Sequence, residues 1–369
     1  MSNFAARRDK LLSQIRQEGL DVLLVTNPVN VTYLTGFSGE ATYLALAPGK
    51  TLAISDGRFV EQLGEECPGL EAHIRPPSQT LADAASEVLG KMNAATVGFE
   101  SNHLTVAEFE TIEGKSRSIG WKPGTSRVES LRAIKDDGEL AQVREAIAIA
   151  ENAFALFKKD LRPDKTEKQL HDAMEFHIRA LGGKTTSFPT IVAVGARAAL
   201  PHAPPTARRL GDASFVLVDW GASGAFYKSD LTRVLWTHKP NSNSPLRAKF
   251  LHVVDVVRQA QRAAIARMHV GVEFQEIDAA ARSIIADAGF GPYFNHSLGH
   301  GIGLQIHEAP FLRASSTGKL EAGMVVTAEP GIYIPGEVGV RIEDDVLITA
   351  DGPVTLTSVT HSPDDWLSG

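Results

Sequence analysis

The sequence predicts two domains, an α/β domain followed by an α+β domain. Three observations carry this. The chain has 369 residues, more than one core of ordinary size organises at about 150 residues per domain. In its first third, short apolar runs alternate with amphipathic segments. In the remainder, long amphipathic helical patterns precede strand-rich stretches, and that order occurs twice.

Residues 5–18 put Leu11, Leu12 and Ile15 on one helical face, and Gly19 stands where a helix end favours glycine. Residues 21–25, Asp-Val-Leu-Leu-Val, form a short apolar run of buried-strand type, ended by Asn27-Pro28. Residues 42–46 and 51–54, joined by Pro48-Gly49, read as a hairpin. A helix over 80–92 and a strand over 96–99 continue the alternation. Residues 123–137 read as a junction, with turn chemistry in Pro123-Gly124-Thr125-Ser126 and charge in Lys135-Asp136-Asp137-Gly138-Glu139. The expected domains are therefore 1–127 and 135–369.

After the junction, Leu140, Val143, Ile147, Ala150, Phe154 and Phe157 recur at three- and four-residue steps and predict a long amphipathic helix. A second helix covers about 166–181, with Leu170, Met174, Ile178 and Leu181 on one face. A third covers about 245–268. A fourth aligns Phe274, Ile277, Ala281, Ile284 and Ala288. Strand-rich stretches lie at 187–236 and 323–358. Two rounds of helix pair and strands read as an internal duplication.

Composition excludes several classes. Hydrophobic residues make up 43% and charged residues 22%, which is neither disordered nor fibrous. Cys67 is the only cysteine, so internal disulfides, thiolate zinc sites and CxxC chemistry are out. A net charge of -7 speaks against a broad nucleic-acid-binding surface. No run of about 18 apolar residues is present, so no membrane span is expected. The first ten residues carry charges without a following apolar stretch, unlike a secretory leader, and a cytoplasmic setting is expected. Gly-Lys-Thr at 49–51 and 183–185 and Gly-Lys-Ser at 114–116 lack the earlier glycine of a phosphate-binding loop. There is no GxSxG elbow. Cys67 follows Glu65 and Glu66, whose charge should raise its thiol pKa and make it a poor nucleophile.

Three stretches carry chemistry. Residues 215–230 begin as an apolar strand ending in Asp219, and reach Asp230. With a two-residue turn at Gly224-Ala225, residues whose numbers sum to 449 pair, and Asp219 faces Asp230. Their Cβ atoms would lie about 5 Å apart. Two such charges repel, and one protonates unless a cation sits between them. The blander reading has one acid in solvent or the turn elsewhere. Residues 295–308 hold His296, His300 and His307, interleaved with glycines 299, 301 and 303, which oppose a helix and let backbone approach a ligand. Residues 328–346 place Glu329 after an apolar strand, then a turn-like Ile334-Pro335-Gly336-Glu337. Arg341 and Glu343 follow, two apart on one strand face. Alone, this is a surface hairpin with an Arg–Glu pair.

Together they suggest one site. Asp219, Asp230, His300, Glu329 and Glu343 supply four carboxylates and one imidazole. That set suits two divalent first-row ions such as Mn²⁺ or Co²⁺, with Zn²⁺ a further choice, since structural zinc prefers thiolates. Two dications nearly neutralise four carboxylates, which makes their burial tolerable. A water bridging two such ions becomes a nucleophile near neutral pH.

These stretches resemble the metallopeptidases of pita-bread fold, specifically the Xaa-Pro peptidases, prolidase and aminopeptidase P. The resemblance covers nearly the whole chain. Residues 27–37, Asn-Pro-Val-Asn-Val-Thr-Tyr-Leu-Thr-Gly-Phe, look like that family's creatinase-like N-terminal domain, and all five ligand positions appear in order. The resemblance implies an α/β N-terminal domain, a pita-bread α+β catalytic domain and hydrolysis of the bond preceding proline in di- or oligopeptides. It implies Asp219 on one metal, His300 and Glu329 on the other, and Asp230 and Glu343 bridging. Outside that set it implies His202, within 192–202, as a substrate-side histidine. His307 would bind the substrate carbonyl and stabilise the oxyanion, and His296 would line the proline pocket. Glu329 would shuttle the proton, and Arg341 would orient the site or meet the substrate carboxylate. One departure is visible: the family usually has an aromatic where this chain has Gly224, and glycine where it has Phe226.

An Xaa-Pro bond is a tertiary amide without an N–H, so a site that polarises the carbonyl does not need the contact that other proteases read. Methionine aminopeptidase shares the resemblance but lacks the N-terminal domain. Creatinase has both domains without the metal ligands. A binding protein that lost catalysis is disfavoured by retention of all five ligands with His202 and His307. The resemblance also implies a homodimer whose N-terminal domain limits substrate length.

Overall fold

The computed structural model describes residues 4–238 and 243–364. Its chain forms two compact units that meet in sequence between Arg132 and Ala133.

The first unit is a mixed six-stranded sheet with helices. Its strands are β1 (Val22–Val25), β2 (Tyr43–Ala47), β3 (Lys50–Asp56), β4 (Glu71–Arg75), β5 (Thr96–Glu100) and β6 (Gly120–Gly124), in the order β4-β3-β2-β1-β5-β6. The hairpin expected at Pro48-Gly49 is there: Ala47 pairs with Lys50, and Gly49 takes a φ of 74° that favours glycine. The helices are α1 (Phe4–Gln17), α2 (Pro28–Thr35), α3 (Val60–Glu66), α4 (Leu81–Lys91), α5 (Val106–Lys115) and α6 (Arg127–Arg132). Helix α4 packs Ala82, Ala85, Val88 and Leu89 against the sheet core.

One reading is extended here and two are corrected. Asn27-Pro28 closes β1 but also opens α2. The Asn27 side chain accepts a hydrogen bond from the Val29 amide, and Pro28 occupies the first turn, where its missing N–H costs nothing. Pro123-Gly124 is not a turn but the end of edge strand β6, where a proline is tolerated. Cys67 is buried, and burial, rather than Glu65 and Glu66 together, is the main force pushing its thiol up.

The second unit carries the acidic stretches. Helices α7 (Asp137–Asp160) and α8 (Glu167–Ala180) precede β7 (Thr185–Thr186), β8 (Ile191–Val194), β9 (Phe215–Trp220), β10 (Ala222–Ser223) and β11 (Leu231–Trp236). Helices α9 (Pro245–Ile265) and α10 (Phe274–Asp287) then precede β12 (Gly299–Gly301), β13 (Glu308–Leu312), β14 (Val325–Ala328), β15 (Gly331–Ile334), β16 (Val338–Arg341), β17 (Asp344–Thr349) and β18 (Gly352–Thr355). The main sheets run β11-β9-β8 and β13-β12-β14-β17-β18, with β15-β16 as a separate hairpin. Strands β9 and β11 are buried at every position, Asp219, Thr232 and Arg233 included, so neither shows the alternation of a strand with one face in solvent. Helix α7 docks through Phe154, whose ring stacks 4.2 Å from Trp220, and the Trp220 indole donates to the Ala150 carbonyl.

The turn between β9 and β11 corrects the expected register. Thr232, not Asp230, lies opposite Asp219, so paired numbers sum to 451. The Gly224 amide bonds the Tyr227 carbonyl, which makes Ala225-Phe226 the central pair, and Gly224 does not adopt a positive φ. A slip of two residues preserves the side-chain face, so Asp219 and Asp230 still share one face, diagonally.

Candidate metal centre

Three backbone arrangements bring the acids together. Thr232 is the hub of the first: it pairs with Asp219 across β9–β11 and forms a lone bridge to Glu343 on its other side. The second is the hairpin around Ile334–Val338. Both β14–β17 and β15–β16 pair residues whose numbers sum to 672, so Glu329 and Glu343 fall opposite each other in the gap between the two ladders. Pro330, without an N–H, sits in that gap. The third is β12. A Cβ on Gly299 would lie 2.1 Å from the Thr327 carbonyl oxygen, and one on Gly301 would lie 2.2 Å from that of Ala309. Those glycines admit neighbouring strands rather than a ligand, and the packing carries His300 onto the same face.

A cavity of about 470 Å³ opens at this point. Asp219, Asp230, His300, Glu329 and Glu343 line it, together with His202, His296, His307 and Arg341. One ligand atom each of Asp230, His300 and Glu343 lies within 4.8 Å of the others. His300 Nε2 is 3.2 Å from Glu329 Oε1 and 3.7 Å from Asp230 Oδ2. His300 Nδ1 lies 3.1 Å from the Gly301 carbonyl, an acceptor, so Nδ1 carries a proton, and Nε2, which faces Glu329 in the absence of metal, is the atom that would meet a cation.

The donor set fits divalent metal. Asp219 Oδ1, Asp230 Oδ1 and Glu343 Oε1 are buried without a hydrogen-bond partner, a costly state for carboxylate oxygens unless a cation satisfies them. The second oxygens of Asp219 and Glu343 are held. Arg341 Nη2 donates to Asp219 Oδ2 at 2.5 Å, and the Thr232 hydroxyl donates to Glu343 Oε2 at 2.6 Å. Arg341 is fixed in turn by the Tyr333 hydroxyl at 2.7 Å and the Thr232 hydroxyl at 3.1 Å.

The electrostatics of the metal-free cluster follow from this crowding. Burial, with the charges of Glu343, Asp219 and Glu329, drives the Asp230 carboxyl well up. Burial, with Glu329 and Asp219, does the same to Glu343. Burial also acts to raise Glu329, but the His300 hydrogen bond and nearby positive charges outweigh it and hold Glu329 at about 2. Burial lowers His296, and partial desolvation of the ring in the cavity lowers His307 although the residue as a whole stays open to solvent.

The sequence reading missed four contributors. The Thr232 hydroxyl holds a Glu343 carboxylate oxygen, and the Thr327 hydroxyl accepts from the His300 amide. The Tyr333 hydroxyl bridges His296 Nε2, at 2.9 Å, and Arg341. Buried Asp345 accepts from the Asp230 amide at 3.1 Å, and burial pushes its carboxyl up to about 8. Same-face spacing pointed to two of them: Thr232 lies two residues after Asp230, and Asp345 two after Glu343.

A carboxyl whose pKa is raised on folding contributes stability below its unfolded value and loses it as pH climbs through the folded value. For Asp345 that window runs from about 3.8 to about 8, and Asp230 and Glu343 shift in the same direction. Chelator-treated protein should therefore melt at progressively lower temperature as pH rises across this interval. Calorimetry checks this; a rising melting temperature would contradict the assignment.

Fold and pocket together define a class: a two-unit chain with an α+β unit built around a buried, metal-competent carboxylate cup. Residues 141–350 match metallopeptidase family M24, and residues 7–134 match the Creatinase/Prolidase N-terminal domain. An Xaa-Pro dipeptidase of Pyrococcus furiosus is 33% identical over 351 residues, covering 95% of this chain and 97% of that protein. Among solved structures, an Xaa-Pro dipeptidase from Bacillus anthracis superposes with a TM-score of 0.90 at 34% identity, over 98% of this chain and 99% of the other. An X-Pro aminopeptidase from Thermotoga maritima gives a TM-score of 0.86 at 29% identity, over 96% and 99%. The chain belongs to metallopeptidase family M24. It is a metallopeptidase with a creatinase-type N-terminal domain and a pita-bread catalytic domain, as the sequence led one to expect. Membership implies a divalent metal and a peptide substrate. No helix among the described residues is long and apolar enough to cross a membrane.

Proposed function

We propose that the enzyme hydrolyses the peptide bond preceding proline, as an Xaa-Pro dipeptidase, using two divalent ions held by Asp219, Asp230, His300, Glu329 and Glu343. The observation that carries this is the trio of buried, unpartnered carboxylate oxygens in a cavity also lined by three further histidines. The names of the dipeptidase relatives support the substrate class. The oxygen-rich donors favour Mn²⁺ or Co²⁺ over Zn²⁺. A homodimer working in the cytoplasm belongs to the same reading.

Asp219 would hold one ion, His300 and Glu329 the other, with Asp230 and Glu343 shared. The ions, when bound, polarise the scissile carbonyl and make a water nucleophilic near neutral pH. Glu329, ionised, accepts the proton of the attacking water and passes it to the prolyl nitrogen as the bond breaks. His307 donates a hydrogen bond to the carbonyl oxygen as negative charge grows there. His202 contacts the substrate on the side of the cavity it lines. Arg341 orients Asp219 through their short ion pair, a role its contacts favour over meeting a substrate carboxylate. His296, with its Nε2 bonded to Tyr333, presents a ring edge to the proline. Phe188, Pro189, Ile191 and Phe311 give the cavity the apolar surface a pyrrolidine ring needs.

The alternative is an Xaa-Pro aminopeptidase acting on longer peptides, favoured by the likeness to the Thermotoga enzyme. Incubating the Mn²⁺-loaded protein with Leu-Pro, Leu-Pro-Gly and Leu-Ala and following products by mass spectrometry separates the two. Cleavage of Leu-Pro alone is expected. Release of leucine from the tripeptide instead would establish the aminopeptidase, and preference for Leu-Ala would end the proline reading.

A further inference from the structure

Lys135 and Glu308 form an ion pair almost sealed from water. Their side chains are 0% and 4% exposed, and Nζ lies 2.9 Å from Oε1. Burying two charges costs desolvation that their attraction seldom exceeds, so such a pair is a poor source of stability. Its location points to another use. Glu308 directly follows His307 and opens β13. The carboxylate folds back beneath its own loop: Oε2 accepts from the Gln305 amide at 3.3 Å, and a Cβ on Gly303 would lie 2.3 Å from Oε1. The loop is also closed by a Gly303–Gln305 backbone bond of 3.1 Å. Lys135 is anchored elsewhere. Its amide donates to the Gly323 carbonyl at 2.9 Å, on the segment leading into β14 and Glu329. The pair thus ties the loop over 302–308 to the frame that carries a metal-facing carboxylate.

We infer that Lys135 and Glu308 are positioning residues that fix His307 over the cavity, where its ring sits 4.4 Å from that of His300 at 73°. This rests on the proposed role of His307 at the substrate carbonyl. His307 is itself exposed, so its register against the substrate depends on the loop beneath it. The ammonium of Lys135 reaches that loop at Glu308, one residue from the imidazole, without entering the cavity.

The test uses Glu308→Gln, which keeps the shape, and Lys135→Met/Glu308→Gln, which removes both charges at once and avoids an unpaired buried ion. Each is assayed as Mn²⁺-loaded enzyme on Leu-Pro, alone and combined with His307→Ala. Metal content and melting temperature are measured alongside, and Glu308→Asp retains the charge as a control should the other variants fold poorly. Loss of about tenfold to 10²-fold in kcat is expected, as for a displaced catalytic group, with metal content unchanged and KM nearly so. In the His307→Ala background the same changes should cost nothing further, because the group they position is gone. Losses that multiply in that background, or wild-type kcat in the pair variants, would overturn the inference while leaving the proposed function standing. Wild-type turnover of His307→Ala alone would remove His307 from the mechanism, and the positioning role with it.

Discussion

Replacing Asp230 or Glu343 with alanine should strip the protein of bound metal and take peptide hydrolysis to the assay background. Each residue faces the other acids across a desolvated space, and each has one buried oxygen with no hydrogen-bond partner. Removing either withdraws a ligand that, in the proposed arrangement, both ions share. The loss should exceed the about 10- to 100-fold typical of residues that only orient a ligand. Elemental analysis of purified variants reads the effect directly, and full occupancy would disprove the shared-ligand assignment. The metal-free fold should survive these changes well, because each removes a like charge from a crowded cluster. A variant that stays folded and loses metal separates ligand loss from unfolding.

Chelation of the wild-type protein should abolish cleavage of Leu-Pro, and Mn²⁺ or Co²⁺ should restore it. In the proposed mechanism Glu329, held ionised, accepts a proton, and His307, whose neutral form is favoured, donates a hydrogen bond. Neither generates hydroxide from water unaided. A general base alone contributes about 10² to 10⁴-fold. The remainder of the acceleration depends on the ions, so their removal should cost more than any single proton-handling side chain. Activity that persists after verified metal removal would refute the mechanism at its root.

The fold was legible where hydrophobic periodicity was strong. Leu140 to Phe157 gave helix α7, and Phe274 to Ala288 gave α10, within a few residues. It was illegible where a residue had two uses. Asn27-Pro28 ends one element and caps the next, and Pro123-Gly124 resembles a turn while ending an edge strand. Helix α5 and strand β4 went unread because their apolar positions are few: only Ile112 is buried in the one, and no residue is buried in the other. The nine residues singled out all line one cavity: eight stood out in the sequence itself, as acids beside apolar strands, glycine-spaced histidines and an arginine two residues before an acid, and His202 came only from the family resemblance. Their supports were not visible. Thr232, Thr327 and Tyr333 are ordinary strand residues until the pairing of distant strands shows what they touch. The Asp219–Asp230 register failed by two residues because turn type depends on backbone angles that Gly224 does not dictate.

The opposed positions of Glu329 and Glu343 carry a consequence for chain length. Both sit on one continuous hairpin whose tip, residues 335–337, includes the left-handed Gly336. Residues inserted at that tip would lengthen the ribbon's far end and leave both carboxylates where they are. One residue inserted within either arm, between the tip and its acid, would turn that acid to the opposite surface. Tolerance to insertion should therefore change abruptly within a few positions, and a scanning library read out by metal retention would trace that edge.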